Sequence, residues 1–212
     1  MYAKPGGDGY GVLGSMTQAD LNVLRLKLTD CTRCALHKHR TTIVFGEGDP
    51  DADLMFVGEG PGANEDMTGR PFVGNAGKLL TDWIEKLGMK REQVYIANVV
   101  KCRPLDNRDP YPLEIETCIP FLHVQIARIK PKILVALGRH AANHLAGLRL
   151  PMKELRTRDL KYENEKSGMS IPIEAVYHPS YVLRKGRGET EKETLMDLRK
   201  ALAVVGLSDT VG

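Results

Sequence analysis

The chain has 212 residues, of which 42% are hydrophobic, 27% charged and 6% aromatic, the usage of a globular protein and not of a disordered or collagen-like one. Thirty Lys plus Arg against 27 Asp plus Glu leave a net charge of +3, too small to demand nucleic acid as a partner by itself. No run nears the roughly 18 apolar residues of a membrane span, and the N-terminus MYAKPGGDGYGVLGSM lacks an export signal's apolar stretch, so a cytoplasmic chain without membrane attachment is expected.

Residues 1–16, with five glycines and little apolar patterning, read as a flexible tail, and 17–212 as a single domain, the default at this length. Thr17-Gln18-Ala19-Asp20 is a capping-box start for a helix carrying Leu21, Leu24 and Leu28 on one face and leading to Cys31. Four short runs rich in Val, Ile or Tyr then read as strands: Leu54–Val57, Val94–Ala97, Ile133–Leu137 and Ile171–Tyr177. Helices are expected between them, at Asn75–Leu87 with Gly88 as a stop, at Pro112–Ile129 with a bend or break at Pro120, and at Arg139–Leu145; a last one spans Leu195–Val205. Alternating strands and helices imply right-handed βαβ units and a mainly parallel sheet covered on both faces.

The segment after each strand is polar or glycine-rich: Gly58-Glu59-Gly60-Pro61-Gly62, Asn98, Gly138-Arg139-His140 and His178-Pro179-Ser180. Parallel strands end on one side, so these four segments should meet along a single edge, where open α/β sheets bind ligands. The first fits a loose dinucleotide fingerprint, but Pro61 removes an N–H donor, and Glu59, Glu65 and Asp66 would repel a pyrophosphate. A carboxylate on such a loop suits positioning water or facing a cationic transition state. Asn98 is either a strand-end cap or a recognition amide, and His178, held extended by Pro179, is structural or catalytic. Phe72 stands between glycines in Gly69-Arg70-Pro71-Phe72-Val73-Gly74, an odd place for a core aromatic and one that admits a stacking role. Basic stretches at His37-Lys38-His39-Arg40 and Arg184-Lys185-Gly186-Arg187-Gly188 are either solvated surface or, for the second, phosphate contacts.

Four cysteines lie at 31, 34, 102 and 118. Two residues separate the first pair and fifteen the second, and four thiols with none left over point to metal ligation. Spacing leaves tetrahedral zinc and an iron–sulfur cluster both open.

Taken together, Gly58-Glu59-Gly60-Pro61-Gly62 with Glu65-Asp66, Thr68-Gly69-Arg70-Pro71-Phe72-Val73-Gly74, Asn98-Val99-Val100-Lys101-Cys102-Arg103-Pro104 and His178-Pro179-Ser180-Tyr181-Val182-Leu183-Arg184 closely resemble the family 4 uracil-DNA glycosylases. The resemblance runs from about Cys31 to Leu202. It implies a three-layer α/β/α sandwich around a four-stranded, mainly parallel sheet, and a 4Fe-4S cluster on Cys31, Cys34, Cys102 and Cys118. It also implies that Glu59 and the backbone at Gly60 hold the attacking water, with Glu65 a secondary catalytic candidate. His178 would stabilise the departing uracil, Phe72 would stack on the base, Asn98 would read it, and Ser180, Arg184 and Arg187 would hold the strand. The stretch Pro104-Leu105-Asp106-Asn107-Arg108 lacks the basic, His-containing insertion of relatives that link covalently to DNA, so ordinary turnover is expected. Gly62 carries no bulk against thymine's methyl group. The expected partner is uracil-containing DNA, with a replication clamp as a candidate second partner and a monomeric chain. A non-catalytic single-stranded DNA-binding iron–sulfur module is the alternative.

Overall fold

The computed structural model describes residues 18–165 and 167–207. The expected tail at 1–16 and the capping residue Thr17 lie outside these. Helix α1 (Gln18–Leu28) buries Leu21, Leu24 and Leu28 as their spacing requires. The chain then runs through β1 (Glu47–Gly48), β2 (Leu54–Gly58), α2 (Ala63–Thr68), α3 (Asn75–Lys86), β3 (Tyr95–Asn98), α4 (Pro112–Ile129) and β4 (Ile133–Leu137). It continues through α5 (Arg139–Ala146), α6 (Met152–Leu155), β5 (Leu160–Asn164), β6 (Met169–Val176), α7 (Pro179–Arg184) and α8 (Gly188–Val204). No described helix is long and apolar enough to cross a membrane.

The sheet has six strands in the order β1-β3-β2-β4-β6-β5, not the four expected. The four anticipated strands form its parallel middle, and β1 and β5 add antiparallel edges. Both edges escape an apolar-run reading for a physical reason. Strand β1 has two residues, and β5 (LKYEN) is buried only on alternate positions, as suits a strand covered on one face.

The central strands are buried on both faces. Leu54 and Phe56 of β2 pack with Leu80, Trp83 and Ile84 of α3 and Leu198 and Leu202 of α8. Met55 and Val57 face the opposite layer, with Leu122 and Ile126 of α4 and Ala141 and Leu145 of α5. Period-two alternation thus divides one strand between two cores and gives three layers. Helix α4 runs unbroken through Pro120. The carbonyl that Pro120 leaves unpaired belongs to Glu116, an exposed residue, so solvent can satisfy it.

One ion-pair group braces the end of β6. Arg156, just after α6, donates to Asp197 Oδ2 and Glu193 Oε2 of α8, both at 2.6 Å, and its guanidinium lies over the Tyr177 ring at 4.3 Å. Tyr177 in turn stacks on Tyr181 of α7 at 5.2 Å. Asp197 is 3% exposed; Lys200 also pairs with its Oδ1 at 2.8 Å, but loss of Arg156 strands Oδ2 of a buried carboxylate, which is costly. Replacement of Arg156 by Ala should therefore destabilise the fold by about 3 kcal/mol. Calorimetry should show a melting temperature lower by roughly 6–12 °C; a fall under about 2 °C would show that the brace carries no stability.

Candidate active site

The parallel strands deliver their carboxyl ends to one edge, and backbone bonds carry the pairing past them. Val99 N donates to Gly58 O and Val100 N to Glu59 O, both at 2.9 Å, while Gly138 N donates to Val176 O at 2.8 Å. A cavity of about 620 Å³ opens there. Glu59, Gly60, Glu65, Phe72, Asn98, His178, Ser180 and Arg184 all line it. Residues from loops, helix starts and a strand end, spread over 126 sequence positions from Glu59 to Arg184, thus share one wall.

Gly58 explains the shape of the floor. A β-carbon there would lie 2.4 Å from Asn98 Oδ1 and 2.6 Å from Phe72 Cζ, so the amide and the ring meet over the backbone of β2 because that position has no side chain. Asn98 is buried, and its Oδ1 has no hydrogen-bond partner. An acceptor left unpaired in a buried position is uncommon and costly. The residue is held from beneath by Lys101, itself fully buried, whose Nζ donates to Asn98 O at 2.8 Å and to Gln125 Oε1 at 2.6 Å. Gln125 is fixed by donating to Phe45 O at 2.9 Å. Burial pushes the Lys101 ammonium down to about 8. Sequence reading passed over Lys101; its one signal was a lysine inside the apolar run Val99-Val100-Lys101-Cys102.

Phe72 adopts a left-handed backbone with φ 50°, a conformation unfavourable for a bulky residue unless its surroundings enforce it. The enforcement is visible on both sides. Gly77 presses so closely that a β-carbon there would fall 1.9 Å from the Phe72 carbonyl. Glu65 accepts from Val73 N and Gly74 N at 2.8 Å and from Gly62 N at 3.1 Å. Its carboxylate is thus occupied by three backbone donors that tie the loop after β2 to the Phe72 loop. Glu65 lines the cavity with its carboxylate engaged by these donors.

His178 caps α7. Its Nδ1 accepts from Ser180 N at 3.1 Å and lies 2.8 Å from Ser180 Oγ, and Arg184 Nη1 donates to that hydroxyl at 3.4 Å. Since Nδ1 is an acceptor, the ring proton belongs on Nε2. Burial, helped by the Arg184 charge, pushes the imidazole down to about 4, so the ring is neutral near pH 7. Its centroid is 5.9 Å from that of Phe72.

Glu59 is half-buried. Desolvation, reinforced by the Asp109 charge and opposed by Arg139, pushes its carboxyl up to about 7. Its Oε1 is buried without a hydrogen bond, although His140 Nδ1 stands 3.2 Å away, a separation that still needs a better angle.

Arg187 is not brought to this wall. It pairs with Glu191 Oε2 at 2.6 Å and Asp82 Oδ2 at 2.7 Å, joining α3 to α8, so two carboxylates already take the charge expected to meet a phosphate. Nor is the His37–Arg40 stretch uniformly solvated: Arg40 Nη1 donates to Cys31 O at 2.6 Å and to Cys102 Sγ at 3.4 Å.

The four cysteines are all free thiols. Cys102 and Cys118 are buried in the α1–α4 core, with Cys31 and Cys34 packed against it. The charge of Cys102 is felt by Cys118, and those of Cys31 and Cys34 by Cys102. Burial pushes the Cys118 thiol up to about 12, against the nearby Lys101 charge. Lys101 links this group to the cavity, since its backbone N donates to Cys118 Sγ at 3.2 Å while its ammonium holds Asn98.

Residues 45–200 match the profile of the uracil DNA glycosylase superfamily. The chain is 54% identical to the type-4 uracil-DNA glycosylase of Sulfurisphaera tokodaii, over 77% of this chain and 76% of that one. It is 42% identical to that of Thermotoga maritima, over 87% and 94%, and 44% identical to that of Archaeoglobus fulgidus, over 79% and 85%. Agreement of this extent makes the chain a member of the uracil DNA glycosylase superfamily and of its type-4 family.

Proposed function

We propose that this chain is a monofunctional glycosylase that removes uracil from DNA by hydrolysing the N-glycosidic bond, with ordinary turnover. The observation that carries the reading is the buried, unpaired Asn98 Oδ1 on the wall of a cavity that also presents a neutral His178. Uracil offers an N3–H donor beside two carbonyl acceptors. Asn98 Oδ1 accepts from N3–H and its amide nitrogen donates to O4, a pattern that cytosine reverses. The target nucleotide must leave the helix to reach this cavity, at a cost of a few kcal/mol that is smallest for mispaired uracil. Phe72 then stacks on the base, and Ser180 and Arg184 at the α7 side hold the strand by its phosphates.

Breaking the bond from C1′ to N1 leaves negative charge on uracil and positive charge on the sugar. The His178 Nε2–H faces the first at O2. A neutral donor serves well here, because it stabilises the anion without needing to be charged in a dry site. The ionised Glu59 faces the second, orients a water with the backbone at Gly60, and takes the proton as the water oxygen joins C1′. Glu59 must be ionised for both tasks, so activity should fall as pH drops through about 7. Glu65 keeps the Phe72 and Gly62 loops in register for this geometry.

Cys31, Cys34, Cys102 and Cys118 suit a 4Fe-4S cluster better than a single zinc ion. A tetrahedral ion with bonds of about 2.3 Å draws its sulfurs to roughly 4 Å of one another, yet among the described residues no three cysteine sulfurs lie within 4.8 Å. Desolvation raises the Cys34, Cys102 and Cys118 thiols, so a cationic group is required to hold them as thiolates. When bound, such a cluster supplies a four-point cross-link between residues 31–34 and 102–118. Purified protein should be brown and hold about four irons and four sulfides per chain; colourless protein with one zinc would overturn this assignment.

The function is tested by release of free uracil from oligonucleotides carrying U:G, U:A, single-stranded U or T:G. Release from the uracil substrates is expected, and His178→Ala should slow it about a hundredfold or more. Binding of DNA without any base release would instead favour a non-catalytic module, and a wild-type rate in His178→Ala would remove that residue's role.

A further inference from the structure

Arg139 and His140 open α5 at the carboxyl end of β4 and line the cavity, yet the chemistry above uses neither. His140 stands between two carboxylates. Its Nδ1 is 3.2 Å from Glu59 Oε1 and its Nε2 is 3.6 Å from Asp109 Oδ2. A third group decides how the ring is protonated. Arg139 Nη2 lies 3.0 Å from His140 Nε2, and a guanidinium can only donate, so Nε2 is the acceptor. Burial lowers the proton affinity of the ring, against Asp109 and with Arg139, so a neutral His140 carries its single proton on Nδ1. That proton faces the one oxygen of Glu59 that is buried and bonded to nothing.

We propose that His140 is a positioning residue for Glu59: its Nδ1–H closes onto Oε1 in the substrate complex and aims the carboxylate at the water, with Arg139 fixing the tautomer. Such bonds are commonly long or poorly aligned before substrate binds and tighten afterwards. The inference rests on Glu59 being the catalytic carboxylate. The charged groups acting on Glu59 are Asp109, which disfavours its ionisation, and Arg139, which favours it. His140 is faced by these same two and by His144 one turn along α5. Glu65, Arg108, His178 and Arg184 line other parts of the cavity. A donor to a carboxylate favours the ionised form. Its removal without admission of water must therefore move Glu59 ionisation to higher pH.

The test is the single-turnover rate of uracil release between about pH 5 and 9 for wild type, His140→Phe, His140→Asn and Glu59→Gln. Phe keeps the ring and the dryness but has no N–H; Asn places an amide donor near the position of Nδ1. Phe should lower the plateau about tenfold and move the acidic limb up by about half to one pH unit. Asn should return the limb to within about 0.2 unit of wild type. A Phe limb that coincides with wild type, or an Asn limb no closer than that of Phe, overturns the inference. Glu59→Gln separates the two readings. If it loses the limb and most of the rate, Glu59 stands and only His140 is at issue. If it excises uracil like wild type, the Glu59 reading fails, and the His140 inference with it.

Discussion

The cavity depends on a position with nothing in it. Gly58 ends β2 where the Asn98 amide, from β3, and the Phe72 ring, from the loop before α3, reach across the same few ångströms of backbone. Any side chain at that point would have to displace one or the other. The remaining features of the wall serve to hold both groups over this gap. Gly77 and the Glu65 carboxylate enforce the left-handed turn at Phe72, and Lys101 pins the Asn98 carbonyl from the core.

Burial then sets the charges. The same desolvation pushes His178 down to about 4 and Glu59 up to about 7, which leaves a neutral donor on one side of the cavity and a carboxylate near its titration point on the other. Two groups whose surroundings drive their ionisation apart are the usual mark of divided acid–base labour. Lys101 extends the arrangement to the cysteines, because one residue contacts both Cys118 Sγ and the Asn98 backbone. Lys101 thus joins the thiol group to the Asn98 wall of the cavity.

What the sequence disclosed follows from how strongly each feature is encoded locally. The four central strands are continuous apolar runs because both their faces are buried, and the loops after them are conspicuous because they are not apolar. The edge strands β1 and β5 carry no such contrast, so a six-stranded sheet read as four. That Glu59, Asn98 and His178 meet along one edge was legible from their places directly after the parallel strands. The tasks of Glu65 and Arg187 were not, because both are fixed by partners distant in sequence or backbone: three N–H groups for Glu65, and Asp82 on another helix for Arg187. Arg40 and Lys101 were hidden by the assumption that basic residues are solvated, which fails where thiols and a strand-end carbonyl need donors.

The most direct measurement is the uracil-excision rate of Gly58→Ala. The added methyl carbon would sit 2.4 Å from Asn98 Oδ1 and 2.6 Å from Phe72 Cζ, so one of the two groups must shift by about an ångström. Displacement on that scale should slow excision about a hundredfold or more in protein that still folds. Folded Gly58→Ala protein excising uracil within about twofold of the wild-type rate would contradict the account.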